Sequence, residues 1–347
     1  MSGTASEALP APQYDVAIIL VAYKAVEIIE RCLPTVTAHL NGVCAQIILV
    51  DNESGDGTVE YVRGAHPQVQ VIEMGCNAGF ARANNAALEV AQARHVLLLN
   101  TDVIFHDDVL GPLVQHLDAN PDVAAVTPAM VDGAGQPLAP GHSLPKWWTP
   151  LVGSLREICG GRAHVLRGWA NRAARRREQV AGAEGEGAPV ETEWIPGACM
   201  MLSGEALRRV GKLDPRFFVF FEDVDWCARA RRAGMRIQVL PALCVTHLVG
   251  GGKSRSLIAN KAYIEAEFLY HKLHNPRSLW FVRGTLLSRQ MAGLLLSLVM
   301  TPFGRTREGE VKVRCGLIRG LLTPGWTPGA DTGARPSAGP SATASAD

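Results

Sequence analysis

Continuous apolar runs alternate with helical patterns through the first third of the chain, and few folds accept that order. The runs are residues 16–22, 46–50, 69–72, 95–99 and 123–126. Between them, residues 26–40, 58–63, 81–93 and 107–120 carry apolar positions at helical spacing. A run with no polar side is buried on both faces, and strands linked through helices lie parallel. The expectation is an α/β fold with a mostly parallel sheet flanked by helices. In such sheets ligands bind beyond the carboxyl ends of the strands. Polar residues stand there: Tyr23, Asp51 with Asn52, and Asn100-Thr101-Asp102.

A second stretch gathers acid. The apolar run Phe217 to Phe221 leads straight into Glu222-Asp223-Val224-Asp225, and a helical pattern follows until Gly234. Carboxylates at the end of a buried segment are costly unless a positive group or a donor meets them. They also suit a helix N-terminus, whose free N–H groups and dipole favour negative charge. The capping and catalytic readings of Asp223 are compatible. Asp225 falls about 200° around the helix from Asp223 and is expected to face elsewhere. The first strand leads into Tyr23-Lys24-Ala25-Val26 rather than a G-x-G-x-x-G turn, which argues against a dinucleotide enzyme. Acids at strand ends can instead hold a divalent metal or accept hydrogen bonds from a base or sugar.

A formal net charge of +1 gives no global field for nucleic acid. The eight cysteines form no C-x-x-C pair, and Cys44, Cys199 and Cys244 sit in apolar patterns. Buried free thiols in a reducing cytosol are expected. The first residues, MSGTASEALPAPQ, have neither the basic nor the apolar part of a secretory signal.

Residues 1–13 read as a disordered tail and 14–254 as the α/β domain. A mobile insertion spans about 133–193, with Trp147, Trp148 and a basic run around Arg175. The Gly252-Lys253-Ser254 triplet is no phosphate loop, because His247 stands where that motif needs its first glycine. Residues 255–322 read as a helical, membrane-proximal region. Within it 279–303 is strongly apolar but interrupted by Arg283 and Arg289. Its clean run, 291–300, is too short to span a bilayer, so it either lies in the interface or docks on the core. Residues 323–347, rich in Pro, Gly, Ala and Ser, read as a disordered tail.

The segments VAYKAVEIIERCL, VDNESGDGT, NAGFARANNAAL, LLLNTDV, PGACMMLSGEALRRVGKLDPRFFVFFEDVDWCARARRAG and THLVGGGKS occur in that order. Together they resemble the inverting family 2 glycosyltransferases of GT-A fold, in their rhamnosyltransferase-like branch. The resemblance runs from Tyr14 to Ser254. It is specific for family and much weaker for the sugar.

The resemblance implies transfer of a sugar from a nucleoside-diphosphate donor to an acceptor hydroxyl, with Mg²⁺ or Mn²⁺ on the diphosphate. Asp51 matches the acid that reads the nucleobase, and Tyr23 lies where the base is contacted. Asn77, Gly79, Phe80 and Asn84 match a donor-side segment. Asn100, Thr101 and Asp102 match the metal motif, with Asn100 where many relatives carry the first Asp. His247 matches a histidine that completes the metal or diphosphate site. Asp223 matches the catalytic base, with Glu222 beside it. The implied donor sugar is L-rhamnose from dTDP-rhamnose. The implied acceptor is a cell-surface polysaccharide or polyprenyl-diphosphate-linked saccharide, with the protein peripheral on the inner face of the cell membrane. Two alternatives stand beside this reading: an inactive nucleotide-binding scaffold, and a nucleotidyltransferase.

Overall fold

The computed structural model describes residues 13–151, 187–248, 257–300 and 309–328. Residues 1–12, the basic run around Arg175, the 250–254 stretch and the chain beyond residue 328 lie outside them. One sheet holds strands β1 (Tyr14–Ala22), β2 (Ala45–Asp51), β3 (Gln70–Glu73), β4 (Ala93–Asn100), β5 (Val103–Ile104), β6 (Val123–Val131), β7 (Pro137–Leu138), β8 (Val190–Thr192), β9 (Cys199–Ser203) and β10 (Arg236–His247). Its order is β3-β2-β1-β4-β9-β6-β10-β5, with β7 on β6 and β8 on β10.

β3, β2, β1 and β4 are parallel, as their helical crossovers require. β9 then enters antiparallel between β4 and β6, and β10 runs parallel to β6. The sheet is therefore mixed beyond β4. The chain reaches β9 through the long 132–198 connection, which does not impose the direction that a short helical crossover imposes.

The apolar runs are buried on both faces. Val16, Ile18 and Leu20 of β1 face one core, and Ala17 and Ile19 face the other. Helices α1 (Val26–Ala38), α2 (Thr58–Ala65) and α4 (Leu110–Ala119) cover the first face, through Ile29, Leu33, Val62, Leu113 and Leu117. Helix α3 (Phe80–Val90) lies on the second face through Ala81, Ala83 and Ala87, which let it approach the sheet closely. Helices α5 (Gly204–Val210) and α6 (Glu222–Arg232) join it there, with Ala206 and the fully buried Trp226. Each fully buried Leu or Ile contributes about 1.5–3 kcal/mol, so these two layers hold the strand ends in place.

Helices α7 (Leu257–His274), α8 (Leu279–Met300) and α9 (Glu310–Leu322) follow. α7 packs Ala266, Leu269 and Tyr270 against Phe217, Phe221, Val224 and Ala228, at the start of α6. Phe268, Val282, Leu286 and Leu321 form a small core of their own. Ordered chain continues past residue 322: Trp326 packs 5.2 Å from Phe268, and Lys272 Nζ donates to its carbonyl at 3.0 Å. α8 exposes Trp280, Met291, Leu295, Leu296 and Leu298. No helix among the described residues is long and apolar enough to cross a membrane.

The cysteine expectation needs correcting. Cys199 is buried, but Cys44 and Cys244 are exposed. Cys44 precedes β2, and Cys244 follows the register shift that breaks β10 between Leu240 and Cys244.

Candidate active site

Strand ends supply the first half of the site. Asp51, the last residue of β2, is 5% exposed. Its Oδ2 accepts from the Ser54 amide at 3.1 Å, while the buried Oδ1 has no donor among the described residues. Asn52 reaches the other way: its Oδ1 accepts from the Ala78 amide and its Nδ2 donates to the Gly79 carbonyl. The end of β2 thus grips the 77–80 segment.

Gly79 has φ +81°, and a Cβ there would stand 2.2 Å from the Phe218 carbonyl oxygen. Asn77 Oδ1 accepts from its amide, and the next amide, Phe80, donates to Phe218 at 2.7 Å. Only glycine lets this loop lie against the 217–221 turn. Asn84 is buried and donates to the Phe80 carbonyl of its own helix. Tyr23 is 48% exposed, with Lys24 Nζ 5.5 Å from its ring centre.

The acids occupy the second half. Phe220 and Phe221 both adopt left-handed backbone, at φ 71° and 67°. For aromatic residues each such conformation costs about 1–3 kcal/mol. The turn they make starts α6 at Glu222, which is the first helical residue rather than the residue before the helix. Asp223 Oδ2 accepts from the Gly197 amide at 2.9 Å, and Oδ1 from the Val224 amide at 2.8 Å. Glu222 is 5% exposed, and its Oε2 has no donor among the described residues.

Burial pushes the Glu222 carboxyl well above its ordinary range, and the neighbouring Asp223 charge pushes it further. Burial also raises Asp223, opposed by its backbone donors. Burial and the missing donor thus push Glu222 toward its neutral form, while two backbone donors favour the charged form of Asp223. Asp225 points away, to Arg229 Nε at 2.8 Å and His274 Nε2 at 2.7 Å, and ties α6 to α7.

A cavity of about 750 Å³ opens beside these acids. Phe80, Asn100, Glu222, Asp223 and His247 line it, and Trp148, Trp194, Phe220 and Tyr263 give it an aromatic wall. Antiparallel pairing of β10 with β5 sets His247 opposite Val103. His247 Nε2 thereby comes 3.1 Å from Asp102 Oδ1. Tyr23, Asp51, Asn77, Gly79, Asn84, Thr101 and Asp102 do not line this cavity; Asp102 meets it through His247. Gly79 directly precedes Phe80 of the lining, and Asn52 ties the end of β2 to Gly79.

Among the described residues no group of three or more His, Cys, Asp or Glu side chains could hold a metal by itself. Asp102 offers a carboxylate oxygen and His247 an imidazole nitrogen side by side. Mg²⁺ and Mn²⁺ at phosphate sites commonly take few protein ligands, with substrate oxygens and water filling the rest. The pair fits an ion of that kind.

Sequence reasoning placed Asn52 at a strand end without giving it a role, and missed Gly197 and Trp194. Asn52 was visible as the residue after the strand-end acid, and Gly197 as part of the Pro196-Gly197 turn. Nothing marked Trp194, because its place on the wall depends on a distant contact. Its ring stacks on His142 at 4.7 Å.

A sheet with acids at its strand ends, facing a second acid at a helix start, defines the GT-A type of nucleotide-diphospho-sugar transferase fold. Two solved structures share it. GalNAc-T7 with UDP, GalNAc and Mn²⁺ aligns with a TM-score of 0.52 at 16% identity, over 74% of this chain and 48% of that one. The mannosyltransferase PcManGT from Pyrobaculum calidifontis, in complex with GDP-Man and Mn²⁺, aligns with a TM-score of 0.50 at 18% identity, over 91% and 88%.

Residues 17–178 match the model of Glycosyl transferase family 2. The chain is 27% identical over 237 residues to the low-salt glycan biosynthesis hexosyltransferase Agl10 of Haloferax volcanii, covering 66% of each chain. It is 25% identical over 241 residues to the N-acetylglucosaminyl-diphospho-decaprenol L-rhamnosyltransferase of Mycobacterium tuberculosis, covering 66% of this chain and 75% of that protein.

Proposed function

We propose that the protein is an inverting glycosyltransferase that moves one sugar from a nucleoside-diphosphate donor to a hydroxyl of a lipid-linked or polysaccharide acceptor. The observation that carries this is Asp223. Two backbone amides fix its carboxylate at the edge of an aromatic-walled cavity that His247 also lines, with Asp102 beside His247.

The acceptor sugar lies against Trp148, Trp194 and Tyr263, whose faces suit the apolar side of a pyranose. Asp223 takes the proton of its hydroxyl. The acceptor oxygen bonds to the anomeric carbon as the bond from that carbon to the diphosphate breaks, with inversion. Nucleoside diphosphate leaves, and the proton rests on Asp223. Glu222, pushed toward its neutral form by burial, adds little charge to repel the reacting oxygen. Asp102 and His247 would hold Mg²⁺ or Mn²⁺, which neutralises charge on the departing diphosphate. Asp51 would accept from the nucleobase through its free Oδ1, with Tyr23 against the base. Asn77, Gly79, Phe80 and Asn84 shape the donor side of the site, together with Asn100 and Thr101.

Support for L-rhamnose from dTDP-rhamnose as donor comes from the Mycobacterium relative and from the dTDP-rhamnosyl transferase RfbF of Shigella flexneri, 21% identical over 207 residues. The Mycobacterium relative's printed acceptor, a diphospho-decaprenol sugar, supports a lipid-linked acceptor here. The exposed apolar face of α8 supports a peripheral position at a membrane surface.

A thermal-shift panel of nucleotide sugars with Mg²⁺ or Mn²⁺ tests the reading, since a bound ligand raises the melting temperature. At least one nucleotide sugar, dTDP-rhamnose first, is expected to stabilise in a metal-dependent way. If no nucleotide sugar and no nucleoside diphosphate shifts the melting point, the reading fails.

A further inference from the structure

A second cavity, of about 390 Å³, shares Leu144, Pro145 and Lys146 with the first. Its lining is basic. Lys146, Arg231 and Arg232 face one carboxylate, Glu193, whose Oε2 already accepts from the Leu144 amide at 2.8 Å. Arg231 donates to the Thr192 carbonyl at 3.3 Å. Lys146 and Arg232 form no ion pair among the described residues.

His274, with 5% of its side chain exposed, also lines this cavity. Asp225 engages its Nε2 at 2.7 Å, the ring stacks on Tyr270 at 4.5 Å, and Nδ1 is buried without a partner among the described residues. Three cations facing one carboxylate give the hollow a positive potential that favours an anion. Two arginine forks and an ammonium suit the several oxygens of a phosphate ester better than a single carboxylate.

The surroundings say where such an anion comes from. The cavity adjoins the one that holds Asp223, so a ligand with its hydroxyl at Asp223 can extend past Lys146 into it. On the other side lies the corner between α7 and α8. There Trp147, next to Lys146, meets Phe281 at 5.0 Å, and Trp280 is 76% exposed. An apolar tail leaving the cavity meets apolar side chains.

We propose that this cavity binds the phosphate or diphosphate group of a lipid-linked acceptor, with Lys146, Arg231 and Arg232 as its cationic ligands. The inference rests on the glycosyltransferase reading for the word acceptor. Asp225 and His274 then connect the anion site to α6, the helix that carries Asp223.

The test uses the full chain, inorganic pyrophosphate as probe, and EDTA to silence the metal site. Calorimetric titration compares wild type, the exposed-residue variant Lys146→Ala/Arg232→Ala, and Asp102→Ala. Wild type and Asp102→Ala are expected to bind alike, and the double variant about tenfold or more weaker. Equal binding by the double variant, or loss of binding in Asp102→Ala alone, overturns the proposal. Co-sedimentation with phosphatidylglycerol and phosphatidylcholine vesicles separates the sources. The double variant is expected to keep its vesicle binding. Loss of phosphatidylglycerol binding with pyrophosphate affinity intact would make the cavity a headgroup contact and overturn the assignment. If pyrophosphate binds as expected but the nucleotide-sugar panel fails, the anion site stands and its acceptor role falls. If the panel succeeds and pyrophosphate does not bind, only this inference falls.

Discussion

Glu222 and Asp223 are neighbours with different work, because burial acts on them unequally. Glu222 lacks a donor at Oε2 and is driven toward its neutral form, while Asp223 keeps two backbone donors. The sign for stability follows. A carboxyl whose folded pKa lies above its unfolded one gives stability that is full below the unfolded value, and that stability is lost as pH rises through the folded value. Glu222→Gln removes that loss. Its melting temperature should fall less than that of wild type between about pH 4.5 and the raised Glu222 value, as scanning calorimetry over pH would record. Its turnover should stay near wild type, since Gln mimics the protonated acid. The same burial moves the acid limb of the kcat/KM profile above the ordinary aspartate range, because Asp223 must be deprotonated to act. Asp51 makes a separate prediction. With Oδ1 reading the base, Asp51→Ala should weaken free nucleoside diphosphate and nucleotide sugar about equally in calorimetric titration. Normal binding of the free nucleotide would move the base site elsewhere.

The element that makes the site is the 217–221 turn, clamped between the Gly79 loop and α7. Gly79→Ala should destabilise the chain by about 1–3 kcal/mol, because it combines left-handed strain with the 2.2 Å approach to Phe218. Gly57→Ala is the control: φ is +93° there, but no atom lies within 4 Å of the added Cβ. Denaturant midpoints should fall further for Gly79→Ala than for Gly57→Ala, and nucleotide affinity should fall only for Gly79→Ala. Equal effects would mean that the contact with Phe218 does not matter. This turn was also where the sequence misled. Five consecutive apolar residues read as a buried segment, and no local signal marks Phe220 and Phe221 as left-handed. β1, β2 and β4 were legible because strands buried on both faces leave no polar break. Asp51, Asn100 and Asp102 were legible as polar residues at their ends. The antiparallel entry of β9 was not, because Cys199–Ser203 is buried throughout and its pattern carries no direction. Nor was the aromatic wall, whose members Trp148, Trp194, Phe220 and Tyr263 are far apart in the chain.

The whole molecule is an α/β domain, similar to family 2 glycosyltransferases, with a helical region docked on α6. α7 buries against α6, while α8 leaves Met291, Leu295, Leu296 and Leu298 outward. An apolar patch of that kind marks an interaction surface. With the basic run around Arg175 in the sequence and no spanning helix among the described residues, high salt or alkaline wash should release much of the protein from membranes. Leu295→Gln/Leu296→Gln should cut vesicle co-sedimentation without lowering the melting temperature. Extraction by detergent alone, or unchanged binding by that variant, would contradict a peripheral contact through α8.

The central claim is that Asp223 is the base for glycosyl transfer. Release of nucleoside diphosphate from the best-binding nucleotide sugar, measured in parallel for wild type and Asp223→Asn with a saccharide acceptor present, tests it most directly. Asn keeps the size of the side chain but cannot take the acceptor's proton. The account predicts turnover about 10²- to 10⁴-fold lower, with donor affinity nearly unchanged. Turnover by Asp223→Asn within a few-fold of wild type, above all if Glu222→Gln is inactive, would contradict it.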